Sequence, residues 1–493
     1  MKKALIAFIT VLILTNTTAY CQETKPWSTK EKIEALSKFW AEARRNFVYM
    51  PQIGVQRWDS LYRENIQIAL DSKTDWDFYC QMKRFCGFLQ NGHTSIQADG
   101  IPWTTTAFRG MELQTMYAEG KIIVSGIDSL NSLRIPLGSE IVEIEGEPAI
   151  EYMKKNIVPL QATSTPHIQM RWAASSLFQG LHHTKHNIVI QTLEGKRIPL
   201  TLENYYMPYN NGRTFTLPGL KWTQNTKPFD FRMLDKKIAY VKIGTFQNKS
   251  VVDSFENNFY KISKAKGIII DLRSNGGGSD HNAENIIKHL TSKSKFKGMA
   301  IRIWAYEPHR AAYGLGWFGD GALTPADTVG SDWNRLNYLY AQDLAMTPWD
   351  FQEVTLEAER PYVEVPTIVL TNNFTASAAE DFLIFASQLD NFITMGETTF
   401  GSTGQPITMN LCRRMRARIC TIECAFYDLS SFEGVGIEPD ITIPVTVKDL
   451  LGTKDVQLEA AVKEMKRRLK ATGQLVFPSG GGSTRRKLPQ SVV

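Results

Sequence analysis

The spacing of apolar and polar positions changes twice along the chain, and these changes predict three structured parts. The first part repeats apolar side chains at helical spacing, as in Lys30–Phe47 and in the run that begins at Trp58. The second contains short strand-like runs such as Lys121–Val124. In the third, strands alternate with helical patterns, so the whole pattern predicts a multidomain α/β (α+β) fold. The predicted boundaries are 22–100 for a helical domain, 101–205 for a β module and 228–470 for an α/β domain.

The third part contains four predicted strands, which the pattern places in one mixed or parallel sheet. They are Ile238–Ile243, Gly267–Leu272, Met299–Trp304 and Val365–Leu370. Ligands of such sheets bind beyond the carboxyl ends of the strands. Two unusual segments follow strands in this way, a triple glycine after Leu272 and a small-residue turn containing Ser377 after Leu370. We therefore expect the two segments to lie close together.

Ser377 lies between a predicted strand and a helical pattern that includes Phe382 and Leu389. At the start of a helix, a serine hydroxyl lies near free backbone N–H groups and the positive end of the helix dipole. These groups stabilise a nucleophile and the oxyanion that it generates. The alternative is a helix N-cap, because serine is among the commonest caps, and this segment alone does not separate the two roles.

The triple glycine Gly276–Gly278 is the second candidate for chemistry. Glycine allows positive φ angles and close backbone approach, so such a loop can turn its N–H groups toward a negative charge. A flexible turn is the alternative interpretation. Because the glycines directly follow a strand and a helical pattern begins at Asn282, the sequence favours an anion-binding loop.

Four motifs in this order resemble the C-terminal-processing (tail-specific) and tricorn-core serine peptidases, a family that also includes the interphotoreceptor retinoid-binding repeats. They are DLRSNGGG at 271–278, TASAAEDF at 375–382, GETTFGSTG at 396–404 and GVGIEPD at 434–440. The resemblance extends from about Phe88 to Leu469. It implies a ClpP/crotonase-like α/β catalytic core in which Ser377 is the nucleophile.

The resemblance also implies a base and an orienting carboxylate. The processing branch has a lysine directly after Phe400–Gly401, but this chain has Ser402 there, and a hydroxyl is not a base at neutral pH. The tricorn-like branch, which lacks that lysine, takes a histidine from the region before the inserted domain, which corresponds to His93. Glu433 matches the glutamate of that branch and would stabilise the imidazolium. The implied catalytic residues are Ser377, His93 and Glu433, and the implied oxyanion hole comprises Ala378 with Gly276 or Gly277.

This chain departs from the tricorn pattern at Gly92, where that pattern has a serine beside the histidine. Thr94 or Ser95 is a predicted substitute for that serine, and His281 is the next candidate base. Because both the lysine and the adjacent serine are missing, the alternative is a non-catalytic family member that binds peptides or an apolar ligand. The long aromatic insertion between Trp304 and Pro361 is either a lid or substrate-binding segment, or a satellite core.

The GSEIVEIEGEP run at 138–148 resembles a PDZ domain, and Asn187–Gln191 with Arg197–Leu202 would supply its last hairpin. A PDZ domain binds an extended peptide by strand addition, often at the C-terminal carboxylate. Residues 108–113 are the predicted carboxylate loop of this PDZ-like module. The alternative is a β module with a purely structural role.

The ends of the chain carry the signals for cellular location. Residues 1–21 combine a charged start, an apolar run from Ala4 to Leu14 and a polar end, which predicts an export signal peptide and a periplasmic or extracellular protein. Either cleavage follows Cys21, or Cys21 carries a lipid that attaches the protein to a membrane as a lipoprotein. Residues 478–493 are polar and rich in glycine, and are predicted to be disordered.

Composition narrows the range of partners. The chain is 43% hydrophobic and 22% charged, and much of its formal charge of +6 lies in Lys2, Lys3 and the basic residues 485–487, so no nucleic-acid binding is predicted. His182, His183 and His186 cluster without a carboxylate or cysteine, so neither a metal nor a cofactor is predicted. The sequence therefore predicts an exported serine endopeptidase acting on peptides or unfolded proteins, with homo-oligomerisation left open.

Overall fold

The computed structural model describes residues 25–99, 106–107, 113–128, 134–204, 214–223, 227–357 and 359–474. The predicted signal peptide with Cys21, most of the proposed carboxylate loop and the predicted disordered tail lie outside these residues. The described residues confirm the multidomain α/β (α+β) fold class, with helices and four β-sheets.

The N-terminal part is a layer of helices, α1 (Thr29–Asn46), α2 (Met50–Ile53), α3 (Val55–Asp71) and α4 (Asp75–Gly87). Ser28 and Thr74 cap α1 and α4, each in a reciprocal pair with the acidic residue three positions further on. Inside the layer, the rings of Trp58 and Phe85 stack with their centroids 4.3 Å apart. A turn after α4 leads to strand β1 (Ser95–Ala98), so this layer fixes the position of His93.

The second part contains one eight-stranded sheet. Its strands are β2 (Thr106–Ala107), β3 (Leu113–Ala118), β4 (Lys121–Asp128), β5 (Glu140–Ile144), β6 (Glu147–Pro148), β7 (Lys185–Gln191), β8 (Arg197–Asn204) and β9 (Thr214–Thr216). Its helices are α5 (Ala149–Asn156), α6 (Pro166–Ser175) and α7 (Leu220–Thr223). The main strand order is β2-β8-β7-β5-β4-β3, so β3 is an edge strand, and α6 packs beside it.

The third part contains the remaining strands and helices. The strands are β10 (Phe229–Met233), β11 (Ile238–Ile243), β12 (Gly267–Asp271), β13 (Lys295–Ile303), β14 (Asp350–Thr355), β15 (Thr367–Thr371), β16 (Phe392–Gly396), β17 (Pro406–Cys412), β18 (Met415–Cys420), β19 (Ile422–Ala425) and β20 (Ile441–Thr442). The helices are α8 (Ser250–Ile262), α9 (Asp280–Ile287), α10 (Pro308–Gly319), α11 (Asp332–Ala341), α12 (Ala378–Ala386), α13 (Val447–Leu451) and α14 (Val456–Gln474). Short 3₁₀ helices occupy Val158–Leu160, Lys288–Leu290 and Pro325–Thr328.

The central sheet has the strand order β10-β11-β12-β15-β16-β20 and is parallel from β11 onwards. Strands β11, β12 and β15 are buried along their whole length because helices cover both faces. Residues of α8, α9 and α12 pack on one face, and residues of α14 pack on the other. The loops after β12 and β15 consequently emerge side by side at the same edge.

The strand predicted at Met299–Trp304 forms over Lys295–Ile303, but it does not join the central sheet. It pairs antiparallel with β14 and β19 in a separate three-stranded sheet. Its burial is uneven, with Lys295 and Lys297 exposed, whereas the central parallel strands are buried on both faces. The prediction of a single sheet for all four strands was therefore wrong for this one.

The aromatic insertion folds mainly into the helices α10 and α11, which contact each other closely. Tyr313 packs against Trp317 and Trp333, with ring centroids 5.5 and 6.0 Å apart. Elsewhere, β1, β18 and β17 form a second three-stranded sheet, which joins the N-terminal layer to the α/β part. None of the helices in the described ranges is long and apolar enough to cross a membrane.

Candidate active site

Ser377 occupies a sharp turn between β15 and helix α12. Its backbone has φ +55° and ψ −130°, an uncommon conformation for a non-glycine residue. Its N–H donates to Ser402 O at 3.1 Å and to Glu380 Oε2 at 3.2 Å. These contacts hold the turn in a conformation that an isolated serine would rarely adopt.

His93 lies in the turn between α4 and β1, with its Nε2 3.2 Å from Ser377 Oγ. Its backbone N–H donates to Asn91 Oδ1 at 2.9 Å, which fixes the turn. The structure thus brings together two residues that are 284 positions apart in the sequence. By contrast, His281 has a side chain that is 76% exposed and lies beside Glu284, and it lines a different cavity.

Glu433 reaches His93 through Ser402. His93 Nδ1 is 2.9 Å from Ser402 Oγ, and Ser402 Oγ donates to Glu433 Oε1 at 3.0 Å. The predicted substitutes do not make this connection, since Thr94 Oγ1 donates to Asn91 Oδ1 and Ser95 pairs with β18. The bridging hydroxyl therefore comes from the position where the processing branch has its lysine.

This chain of contacts determines where the protons lie. A serine hydroxyl has one proton, so Ser402 can donate to Glu433 only while it accepts the proton of His93 Nδ1. The imidazole is then unprotonated at Nε2, the nitrogen that faces Ser377 Oγ. That is the tautomer in which a histidine can take a proton from a serine.

Burial and nearby polar or charged groups shift the pKa values of His93 and Glu433. Burial, together with repulsion from Arg418, lowers the pKa of His93 to about 4, so the ring is neutral at neutral pH. Burial raises the pKa of Glu433 to about 7, against hydrogen bonds from Ser164, Thr403 and Ser402 that favour its ionised form. Near neutral pH the site therefore combines a free base with a carboxyl group that is close to half ionised.

Further hydrogen bonds fix the orientation of Glu433. Oε1 also accepts from Ser164 Oγ at 2.7 Å and from Asn91 Nδ2 at 2.9 Å, while Oε2 accepts from the backbone N–H of Thr403 at 3.0 Å. Because every one of these partners donates, the arrangement suits a carboxylate. Only Ser402 among them also hydrogen-bonds the imidazole ring of His93.

Gly92 leaves the space that the bridging serine needs. A Cβ atom at this position would overlap Phe400 Cε1 and would lie 3.1 Å from Ser402 Cβ. A serine beside the histidine, as in the tricorn pattern, would therefore collide with Phe400 and with Ser402. The side chain of Ser402 therefore has room at this position because residue 92 is a glycine.

The triple-glycine loop packs against the nucleophile turn. A Cβ atom on Gly277 would lie 2.6 Å from Ser377 Cβ, so only glycine fits at this contact. The N–H of Gly277 donates to Asn275 Oδ1 at 2.9 Å. Within the described residues, the N–H groups of Gly276 and Ala378 have no protein acceptor, and Gly276 lines the cavity in front of Ser377. Of the two alternative glycines, Gly276 is thus the one whose donor is available.

Glu380 is a buried residue of the site that sequence reasoning missed. It accepts from the N–H groups of Ser377, Gly401 and Ser402 and from the hydroxyl of Thr399. The Ser-x-x-Glu spacing typical of a capping box was the available signal for it. The signal for Ser402 was its place in the motif, which sequence reasoning used only to exclude a lysine.

Comparison with known proteins relates the α/β part of the chain to one peptidase family. Residues 237–443 match the model of peptidase family S41. Mature CPAF has a similar structure, with a TM-score of 0.65, 15% identity, and coverage of 91% of this chain and 99% of that chain. Mature CPAF complexed with lactacystin gives a TM-score of 0.62 at 14% identity, covering 90% and 98% of the two chains. At this identity the likeness to CPAF concerns the fold alone. The family match applies to residues 237–443, which form a domain of the serine-type peptidase family S41, the C-terminal-processing and tricorn-like family.

Proposed function

We propose that this protein is an exported serine endopeptidase in which Ser377 is the nucleophile, His93 the base and Glu433 the orienting carboxylate. The observation that carries the proposal is the 3.2 Å contact between His93 Nε2 and Ser377 Oγ. The link from His93 Nδ1 through Ser402 to Glu433 supports it, because that link selects the tautomer a base requires. The same contact weighs against the non-catalytic alternative, which needs no base beside Ser377.

The reaction begins when His93 Nε2 takes the proton of Ser377 and Oγ attacks the peptide carbonyl carbon. The negative charge that develops on the carbonyl oxygen is stabilised by the N–H groups of Gly276 and Ala378, each contributing about 3 kcal/mol in comparable sites. The imidazolium then gives its proton to the leaving amine, and the C–N bond breaks. A water molecule, deprotonated by His93, then attacks the carbonyl carbon of the acyl-enzyme. The bond from this carbon to Ser377 Oγ breaks, the imidazolium returns the proton to Oγ, and the new carboxyl group leaves.

The eight-stranded sheet supplies a route for an extended substrate, consistent with the predicted PDZ-like module. A groove lies between edge strand β3 and helix α6. Trp172 and Phe374 line both this groove and the cavity in front of Ser377, so the two spaces adjoin. We propose that a peptide adds to the edge of β3 and extends past these two rings to the nucleophile.

The natural substrates on this proposal are peptides or unfolded proteins outside the cytoplasm. The export signal at 1–21 supports that location, with Cys21 either at the cleavage site or lipidated. Mass spectrometry of the mature N-terminus distinguishes these outcomes, because a cleaved chain begins at Gln22 whereas a lipoprotein begins at a modified Cys21.

Labelling with a fluorophosphonate tests the catalytic assignment. We expect the wild-type protein to be modified at Ser377, as located by peptide mapping, and Ser377→Ala to be unmodified. His93→Ala should abolish the labelling, since the hydroxyl then has no base. A matched control is His281→Ala, which removes an exposed histidine of the same domain and should label normally. Wild-type protein that neither labels nor cleaves any peptide would refute the proposal and favour the binding-protein alternative.

A further inference from the structure

The described residues that line the cavity in front of Ser377 include one positively charged side chain and no negatively charged one. It has a volume of about 760 Å³, and its lining includes the rings of Trp172, Phe374 and Phe400. Arg418 also lines it, and none of its described lining residues is an aspartate or glutamate. Because His93 is neutral at neutral pH, Arg418 gives the cavity its only full charge from those residues.

Within the part of the chain that the structure describes, Arg418 differs from the neighbouring arginines in having no ionic partner. Four arginines lie close together in the CRRMRARIC segment, and three of them form ion pairs with carboxylates. These pairs are Arg413 with Glu31 at 3.0 Å, Arg414 with Asp75 at 2.7 Å and Arg416 with Asp99 at 3.3 Å. Among the described residues, no ion pair or side-chain hydrogen bond forms at Arg418, although its side chain is half-buried.

The position of Arg418 is fixed by its strand. It lies in β18, the central strand of the small sheet, between Ser95 of β1 and Thr408 of β17. Ser95 is two residues from His93, so the pairing brings Arg418 to the base. The repulsion that Arg418 exerts on protonated His93 reports the same proximity. Partial burial of an unpaired guanidinium is unfavourable, and an anion entering the cavity would relieve it.

We propose that Arg418 binds a carboxylate of the substrate inside the catalytic cavity, so that the enzyme selects peptides with a negative charge near the scissile bond. The inference rests on the proposed peptidase function and adds a substrate class to it. A guanidinium can hold a carboxylate through two parallel hydrogen bonds. The carboxylate comes either from an aspartate or glutamate side chain or from the C-terminus of the peptide, which present the same chemistry.

Substrate binding at Arg418 also has a consequence for the base. A bound carboxylate neutralises the charge of Arg418 and removes the repulsion that opposes protonation of His93. The imidazole becomes a stronger base when an acidic substrate is in place. Selection therefore acts on the rate of the reaction as well as on binding.

Matched peptides test the proposal and separate the two sources of the carboxylate. The probes are short apolar peptides with a single Glu moved through the sequence, each paired with its Gln counterpart. Each peptide is made with a free C-terminus and with a C-terminal amide. Their dissociation constants are measured by fluorescence polarisation on Ser377→Ala protein, which cannot turn them over, and their kcat/KM values are measured on protein with Ser377 intact.

We expect at least one acidic peptide to be favoured over its neutral partner by about tenfold or more, equivalent to about 1.4 kcal/mol. The preference for Glu over Gln identifies a side-chain carboxylate, and the preference for acid over amide identifies the C-terminus. Arg418→Gln should remove the preference, and Arg418→Lys should keep part of it, because a lysine retains the charge but not the planar pair of donors. Arg416→Gln is the matched control, since Arg416 lies two residues away on the same strand and is already paired.

Two results would overturn the inference. One is wild-type binding that makes no distinction between acidic and neutral peptides at any position. The other is a preference that persists in Arg418→Gln. Because binding is measured on the Ser377→Ala background, a failure of cleavage would count against the proposed function alone. Fluorophosphonate labelling of Arg418→Gln checks that its nucleophile remains intact.

Discussion

Replacing Ser402 with alanine interrupts the contact between His93 and Glu433 while leaving the surrounding structure in place. The backbone of residue 402 keeps its bonds to Ser377 and Glu380, and Glu433 keeps its other three donors. What disappears is the acceptor of the His93 Nδ1 proton. We call the contacts from His93 through Ser402 to Glu433 the relay. The variant therefore tests the relay and not the fold.

The expected loss follows from the strength of that contact. In the transition state His93 is an imidazolium, and a hydrogen bond to a charged group contributes about 1.5–3 kcal/mol. Losing it should lower kcat by about tenfold to 150-fold. Ser402 is buried and does not line the cavity, so KM should stay nearly unchanged. Steady-state kinetics on a cleaved peptide measures both constants.

The pH profile gives a second measure of the same contact. In the wild-type protein, kcat/KM should rise with pH, because catalysis needs His93 neutral, above its pKa of about 4, and Glu433 ionised, above its pKa of about 7. In Ser402→Ala, the step near pH 7 should flatten, because Glu433 no longer communicates with the base.

Ser164→Ala is the matched control for Ser402→Ala. Ser164 donates to the same oxygen of Glu433 at 2.7 Å but does not contact His93. We expect its kcat to fall less than that of Ser402→Ala, and its step near pH 7 to persist. Equal losses in the two variants, or a kcat for Ser402→Ala within twofold of wild type, would refute the relay.

Two further predictions follow from the site. Glu380→Gln should lower the free energy of unfolding by about 1–3 kcal/mol, because an amide cannot accept from all of its buried donors, and thermal denaturation measures the change. Burial raises the pKa of Glu380 from 4.5 to about 8, so its contribution to wild-type stability is full below pH 4.5 and is lost as the pH rises from there to 8. This loss between pH 4.5 and 8 should be smaller in the variant, which has no carboxyl group at position 380. Gly92→Ser should reduce kcat at least tenfold, since its side chain collides with Phe400 and displaces the relay; a fully active Gly92→Ser enzyme would contradict the packing argument.

The family resemblance pointed to Ser377 and His93 as partners, and these two residues, 284 positions apart in the sequence, do lie in contact. The contact that joins His93 to Glu433 could not be read in the same way. Ser402 lies 309 positions from His93, and nothing local to the histidine indicates which distant hydroxyl will reach it. Residues beside the histidine were the natural guess, but their hydroxyl groups belong to the β1 turn and strand.

The sheet to which a strand belongs was predictable for strands that are buried along their whole length, but not for a strand that alternates buried and exposed residues. The runs that became β11, β12 and β15 read as buried on both faces and joined the central sheet as expected. Strand β13 also has an apolar centre, but it belongs to a different sheet because it pairs with β14 and β19, which lie far away in the sequence. Similarly, the side chain of Asn275 decides which glycine keeps a free donor, and a glycine count cannot reveal that.

The single carboxylate of Glu380 has a mechanical consequence. It binds backbone N–H groups on both sides of the site, at Ser377 and at residues 401–402, while Ser377 N–H also bonds directly to Ser402 O. The turn that carries Ser377 and the segment that carries Ser402 are thus held together by the Glu380 side chain. A displacement of either segment must therefore move the other. The assembled and disassembled sites should interconvert in one all-or-none transition, and loss of the Glu380 hydrogen bonds should inactivate the enzyme without producing a partly active form.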